Sequence, residues 1–141
     1  MMLYLDTSVL VCALTREADT DAAQTWLSQQ DPRALTISDW VVTEFSSALS
    51  IKLRTGQLAP EHRAAALAMF TRMAGETLGL FAVERATFRK AAGFADQTAL
   101  NLRAGDALHL AICSDNGAKL CTLDRRLGDA APLVGVESVL L

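Results

Sequence analysis

Short apolar segments alternate with helical stretches along the whole chain. Segments of strand length are predicted at 3–5, 34–37, 78–83, 119–123 and 134–139. Strands that alternate with helices form a parallel sheet with helices on both faces, joined by right-handed crossovers. The sequence therefore predicts an α/β protein in which the carboxyl ends of the strands meet at one edge of the sheet, where ligands bind in such folds.

Caps, prolines and glycines bound the predicted helices. Asp31-Pro32 ends the second helix, Gly56 ends what is predicted to be the longest one, and Pro60 suits a first helical turn. The helices are predicted at 8–15, 20–30, 38–55, 60–75, 84–103 and 105–116, with a short one at 124–131. The stretch over 84–103 is expected to be loosened around Gly93 to Ala95.

The totals indicate one domain, residues 1–141, that can bury a core, since 51% of its residues are hydrophobic. The net charge of -3 argues against a polycationic coat for nucleic acid, although it is compatible with a nucleic-acid enzyme. Neither a signal peptide nor an apolar run of membrane-spanning length is apparent. Cys12, Cys113 and Cys121 lie in apolar surroundings and are expected to be buried thiols. A soluble, cytoplasmic protein is expected.

Asp6 interrupts the first apolar run, in the segment LYLDTSVLV. Burying an unpaired carboxylate is costly, so Asp6 either caps a local helix or lies in a site that needs negative charge. The neighbouring Thr7 and Ser8 would be better caps for that helix. This favours the second interpretation.

Three further acids have structural explanations that are individually plausible. Glu44 has mostly apolar or small helix neighbours and could reach from the border of a buried face to water. Asp106 could be a first-turn acid favoured by the helix dipole, and Asp124 could be an N-cap. Together with Asp6, however, they occupy strand ends and helix positions that can face one another. The sequence predicts that the four carboxylates converge.

His109 follows Asp106 by three residues, on the same helix face. An Asp-x-x-His pair can bind a metal, but a single histidine is more typical of a core or rim residue. His62, in a predicted first helical turn, is expected at the surface.

Four converged carboxylates would repel one another, and without a cation at least one would be protonated at neutral pH. Oxygen ligands suit Mg²⁺ or Mn²⁺ better than zinc. Mg²⁺ usually binds only one or two carboxylates directly, and the other acids would hold its waters or a second ion. Asp6 and Asp106 are the ligands expected. The chemistry that fits is metal-assisted hydrolysis of a phosphodiester.

Four motifs, in this order, resemble the PIN-domain ribonucleases, and more narrowly the toxin subunits of VapBC-type toxin–antitoxin pairs. They are LDTSVL, TEF, RAGDALHLA and TLDRRL. The resemblance covers the chain and implies a three-layer α/β fold around a mostly parallel five-stranded sheet. It also implies Mg²⁺- or Mn²⁺-dependent endoribonuclease activity.

By this resemblance, Asp6, Glu44 and Asp106 match the core acids of the family, and Asp124 its fourth. The hydroxyls of Thr7 and Thr122 would position an acid or a metal-bound water. The family likeness further implies a homodimer and a cognate antitoxin that covers the acidic pocket. The candidate contacts to RNA phosphates are Arg103, Arg125 and Arg126, with Arg16 and Lys52 as further candidates.

Two alternatives remain open from the sequence. One is a PIN-fold module that binds RNA or protein without turnover. The other is a Mg²⁺-dependent phospho-acceptor signalling domain, although such domains carry paired acids after the first strand, where this chain has Thr7 and Ser8.

Overall fold

Five parallel strands form one sheet in the computed structural model, which describes residues 1–141. The sheet order is β3-β2-β1-β4-β5, and every neighbouring pair is parallel. The strands are β1 (Leu3–Leu5), β2 (Leu35–Ser38), β3 (Gly79–Phe81), β4 (Lys119–Thr122) and β5 (Ser138–Leu140). The expected five-stranded sheet is confirmed, and it is entirely parallel.

Seven helices accompany the sheet in a three-layer α/β arrangement. Helices α1 to α4 pack on one another, α5 packs on α6, and α7 packs against β4 and β5. The helices are α1 (Thr7–Leu14), α2 (Thr20–Ser28), α3 (Asp39–Arg54), α4 (Pro60–Glu76), α5 (Arg85–Ala95), α6 (Ala104–Asn116) and α7 (Arg125–Ala130).

The strand order changes direction beside β1. The chain adds β2 and β3 on one side of β1, and then crosses to add β4 and β5 on the other side. The ladder between β1 and β4 continues to Asp6, whose amide donates to the carbonyl of Cys121 at 3.1 Å. The carboxyl ends of these two strands are thus the switch point at which ligands bind in open α/β sheets.

Three element predictions are wrong in extent. The helix expected over 84–103 ends at Ala95, and a 3₁₀ turn at Thr98–Leu100 leads to Asn101 in a left-handed conformation (φ 52°). Asparagine tolerates this conformation better than most residues, and the turn lets the chain restart as α6. The last strand begins only at Ser138, after Gly135 at φ 79°. Helix α3 was predicted to be the longest, but α4, with 17 residues, is one residue longer.

The core lies between the sheet and its helices. The three cysteines are buried free thiols, as expected, and burial raises the pKa of Cys121 to about 12. His62 is exposed, also as expected. The largest fully buried side chains include Tyr4, Leu5, Leu10, Phe45, Leu110 and Leu120. None of the helices has both the length and the apolar character needed to cross a bilayer.

Candidate active site

Asp6 is both a helix cap and a buried acid. Its side chain is almost fully buried, and it is the N-cap of α1, where Oδ1 accepts from the amide of Val9 at 3.4 Å. The expectation that Thr7 or Ser8 would cap this helix is therefore wrong. Ser8 instead donates its hydroxyl to Oδ1, and Thr122 donates to Oδ2, both at 2.5 Å. Thr122 thereby ties the acid after β1 to the end of β4.

Glu44 extends from α3 towards the ends of α1 and α6. Its Oε1 accepts from the hydroxyl of Thr7 at 2.7 Å and from Nε2 of His109 at 2.5 Å. The carboxylate is half-buried, with 30% of the side chain exposed. Glu44 therefore does not simply extend into water from the border of a buried face, since protein donors hold one of its oxygens.

Asp106 and Asp124 lie at the starts of two helices, as the sequence predicted. Asp106 is in the first turn of α6. Asp124 is the N-cap of α7 and accepts from the amides of Arg126 and Leu127 at 3.0 and 3.4 Å. The Asp124 amide in turn donates to the hydroxyl of Thr122 at 3.0 Å. Thr122 therefore bonds to both Asp6 and Asp124, and Thr7 bonds to Glu44.

The pKa values of Asp6 and Asp106 shift in the opposite direction from that of Glu44. Burial raises the pKa of Asp6, against the opposing influence of His109 and of the Ser8 and Thr122 hydroxyls. Burial also raises the pKa of Asp106, and the charges of Asp124 and Glu44 raise it further. The fold therefore leaves part of the negative charge at this edge of the sheet uncompensated.

The pKa of Glu44 moves the other way. Burial alone would raise it, but the hydrogen bond and charge of His109 and the hydrogen bond of Thr7 outweigh burial and lower it. Glu44 therefore stays ionised under conditions in which Asp6 and Asp106 begin to take up protons.

The donor set fits a hard cation that keeps water ligands. No group of three or more His, Cys, Asp or Glu side chains lies in an arrangement that could hold a metal ion by itself. Mg²⁺ does not require one, because it typically binds through one or two carboxylates and retains several waters. The raised pKa values of Asp6 and Asp106 are the response expected of carboxylates that a cation would otherwise neutralise.

His109 belongs to this site, which sequence reasoning did not establish. It is a core residue, 3% exposed, as its apolar helix indicated. Its ring nevertheless bridges Glu44, through Nε2, and the hydroxyl of Tyr4, which lies 2.9 Å from Nδ1. The signal was the shared helix face of Asp106 and His109. The contact of Tyr4 with His109 had no comparable signal in the sequence.

Comparison with known proteins assigns the chain to a family. The sequence profile of the PIN domain matches residues 3–132. The chain belongs to the PIN-domain family. It is 31% identical over 140 residues to the ribonuclease VapC46 of Mycobacterium tuberculosis. The aligned region covers 97% of this chain and 95% of that protein. The resemblance to VapC-type PIN domains, expected from the sequence motifs, is confirmed.

Solved PIN-domain structures share the fold at low identity. VapC20 of Mycobacterium tuberculosis, described as a toxin that cleaves the sarcin-ricin loop, has a TM-score of 0.76 at 15% identity and covers 99% of each chain. VapBC2 of Rickettsia felis, bound to a fragment of promoter DNA, has a TM-score of 0.73 at 15% identity, covering 100% of this chain and 99% of that one. FitAB bound to a DNA fragment has a TM-score of 0.72 at 17% identity, covering 99% of this chain and 94% of that one.

Gly105 closes the site of this PIN domain beside Glu44. A Cβ atom at this position would lie 3.2 Å from Oε2 of Glu44 and 3.5 Å from Cζ2 of Trp40. The indole N–H of Trp40 is buried and has no hydrogen-bond partner. Glycine at this position thus allows α3 and α6 to approach closely enough to bring Glu44 and Asp106 together.

The candidate phosphate-binding residues divide into two groups in this PIN domain. Arg103 is the N-cap of α6, and Arg125 and Arg126 open α7, so all three exposed side chains adjoin elements that carry an acid. Arg16 and Lys52 lie elsewhere. They line a cleft of about 530 Å³ among α1 to α4 that includes none of the four acids, and Lys52 pairs with Glu17 at 2.7 Å.

Proposed function

We propose that this PIN domain is a divalent-metal-dependent endoribonuclease and the toxin of a toxin–antitoxin pair. The observation that supports this function best is the placement of acids beside the carboxyl ends of β1 and β4: Asp6 and the Asp124 amide both bond to Thr122, and the charges of Asp124 and Glu44 raise the pKa of Asp106. The relationship to the ribonuclease VapC46 supports RNA as the substrate class.

Asp6 and Asp106 would hold Mg²⁺ or Mn²⁺, with Glu44 and Asp124 holding its waters. When bound, the ion would polarise a phosphoryl oxygen and lower the pKa of a water for in-line attack. Glu44 has an ionised carboxylate with Oε1 engaged by Thr7 and His109. Its other oxygen, Oε2, is therefore the one that can accept a proton or a hydrogen bond from an attacking water.

Arg103, Arg125 and Arg126 are proposed to bind RNA phosphates beside these acids. Replacing Arg125 and Arg126 with alanine should weaken RNA binding without sequence preference. It should also reduce the slope of log affinity against log salt by about 0.7 for each lost phosphate contact. Fluorescence anisotropy at several salt concentrations, with an Asp6→Asn background to prevent cleavage, measures this. An unchanged slope would remove these residues from the RNA contact.

Gly105→Ala should reduce RNA cleavage without a comparable loss of thermal stability. The added methyl would press on Oε2 of Glu44, which cannot yield freely because Thr7 and His109 hold Oε1. We expect RNA cleavage to fall about tenfold, since small misplacements of a catalytic group are costly. The melting temperature should change little, because the better helix propensity of alanine offsets the crowding at this close contact. Gly93→Ala, in α5 with open space around it, is the matched control and should keep full activity.

A cognate antitoxin and a homodimer are the proposed protein partners, in a reducing cytoplasm that would keep the three buried thiols free. Structural neighbours of this chain include VapBC and FitAB proteins. A cationic antitoxin side chain would pair well with the acidic pocket. Sedimentation of the purified chain, alone and with the antitoxin, tests both partners.

The deciding experiment is RNA cleavage by the purified chain with Mg²⁺, with Mn²⁺ and with chelator. Metal-dependent cleavage of RNA supports the proposal. RNA binding without cleavage, across a panel that includes ribosomal and transfer RNA, would favour the binding-only module, although the four acids argue against it. Covalent labelling by acetyl phosphate would favour a phospho-acceptor domain instead.

A further inference from the structure

A chain of hydrogen bonds extends from the sheet to Glu44. The hydroxyl of Tyr4, at the centre of β1, lies 2.8 Å from Oγ of Ser38 and 2.9 Å from Nδ1 of His109. The opposite ring nitrogen, Nε2, lies 2.5 Å from Oε1 of Glu44. Tyr4, Ser38 and His109 are almost completely buried, whereas 30% of the Glu44 side chain is exposed. A buried polar chain thus ends on one catalytic acid.

In the hydrogen bond between His109 and Glu44, the histidine is always the donor. An ionised carboxylate only accepts hydrogen bonds, so Nε2 of His109 must carry a proton and donate it to Glu44. A neutral ring then accepts at Nδ1 from the Tyr4 hydroxyl, which in turn accepts from Ser38. In a charged ring, Nδ1 donates to the Tyr4 hydroxyl, the Tyr4 hydroxyl donates to Ser38, and Nε2 still donates to Glu44. The carboxylate is therefore held in either state of the ring.

The rest of the packing prevents the ring from turning away. Tyr4 is fixed by Ser38 and stacks on Phe81, with ring centroids 6.3 Å apart. The Tyr4 hydroxyl in turn fixes Nδ1 of His109. Because Thr7 also donates to Oε1 of Glu44, this oxygen is engaged twice, whereas Oε2 lies beside Gly105 and accepts no hydrogen bond from the protein.

We propose that His109 and Tyr4 are positioning residues, which hold the Glu44 carboxylate so that Oε2 alone is presented to the reacting water. This inference rests on the proposed ribonuclease function and deepens it. Neither residue touches the substrate. Without them, a half-exposed glutamate would sample several rotamers, and the loss would fall on turnover more than on RNA binding.

A spectroscopic experiment tests the contact without requiring activity. The chain has two histidines, so His62→Gln leaves His109 as the single source of imidazole signals. In the ¹⁵N-labelled, metal-free protein we expect a slowly exchanging, downfield resonance of the His109 Nε2–H, distinguished from Nδ1–H by its couplings to the ring carbon protons. It should vanish in Glu44→Ala and persist in Glu44→Gln, whose amide oxygen still accepts. Absence of this resonance, or its persistence in Glu44→Ala, would overturn the proposal even if the chain proves to be a ribonuclease.

Kinetic measurements test whether loss of these contacts lowers turnover more than RNA binding. His109→Leu removes the donor, and kcat should fall about 10- to 100-fold, as is typical for residues that orient a metal-site group, with KM for RNA nearly unchanged. His109→Gln can place an amide N–H near the position of Nε2 and should recover most of kcat. Tyr4→Phe, which deletes only a hydroxyl, should give a smaller loss of kcat and remains available if His109→Leu fails to fold.

Ile112→Ala is the control for general damage to α6, because the Ile112 side chain is apolar and fully buried on the same helix. It should lower the melting temperature and leave kcat unchanged at temperatures well below melting. Equal losses of kcat in His109→Leu, His109→Gln and Ile112→Ala would show that His109 is only a packing residue. If the wild-type chain cuts no RNA, the proposed function fails, while the resonance experiment still decides whether His109 holds Glu44.

Discussion

Asp6→Asn should abolish RNA cleavage while the melting temperature of the metal-free protein holds or rises. Asp6 is 3% exposed, and burial raises its pKa, so the charged carboxylate is less stable in the fold than in water. The neutral amide removes that cost. It also keeps α1 capped, since Asn and Asp are equally good N-caps. It should bind a divalent ion much more weakly, and we expect activity to fall by at least about a hundredfold.

Asp6→Ala is the matched comparison for this variant. It removes the same charge but also the cap and the acceptors of the Ser8 and Thr122 hydroxyls, and loss of such a cap costs about 1 kcal/mol. Both variants should be inactive on RNA, and only Asp6→Ala should melt clearly earlier in a thermal scan. A sharp fall in melting temperature for Asp6→Asn would show that the charge itself stabilises the fold. Retained cleavage would remove Asp6 from the catalytic site.

The sequence predicted the sheet because its strands are short apolar runs with strong breakers around them. It also predicted that Asp6 and Asp124 approach each other, since parallel topology brings the carboxyl ends of strands to one edge. The end of α5 at Ala95 was missed because no glycine or proline follows it before the next helix begins at Ala104. Local signals of this kind locate elements better than their boundaries.

The sequence named the four candidate acids and the Thr7 and Thr122 hydroxyls, which bond to Glu44 and Asp6, but not the other contacts around them. Carboxylates at strand ends are visible one at a time in the sequence, because each interrupts an apolar pattern. The bond between Tyr4 and His109 joins residues 105 positions apart, and no periodicity reports such a distance. The approach of Gly105 to Glu44 likewise depends on how α3 and α6 pack. Such contacts require the folded geometry.

Adding Mg²⁺ or Mn²⁺ should stabilise the protein, and more strongly at pH 8 than at pH 5. The pKa values of Asp6 and Asp106 are raised in the fold, so the metal-free folded state binds more protons than the unfolded chain. That contribution to stability is fully present below the unfolded carboxylate pKa, and it is lost as pH rises through the raised values. A cation needs the deprotonated carboxylates, so its binding strengthens over the same interval.

At a concentration a hundred times its dissociation constant, the ion should add about 2.7 kcal/mol to the free energy of unfolding. For a domain of this size that corresponds to a rise in melting temperature on the order of 8 °C. Thermal scans with chelator and with each ion, at both pH values, measure it. Asp106→Asn should lose most of the shift, whereas Asp129→Asn, which neutralises an exposed acid on α7, should keep it. An equal shift in both variants would place the cation outside the acidic pocket, and cleavage would then have to be explained without Asp106 as a ligand.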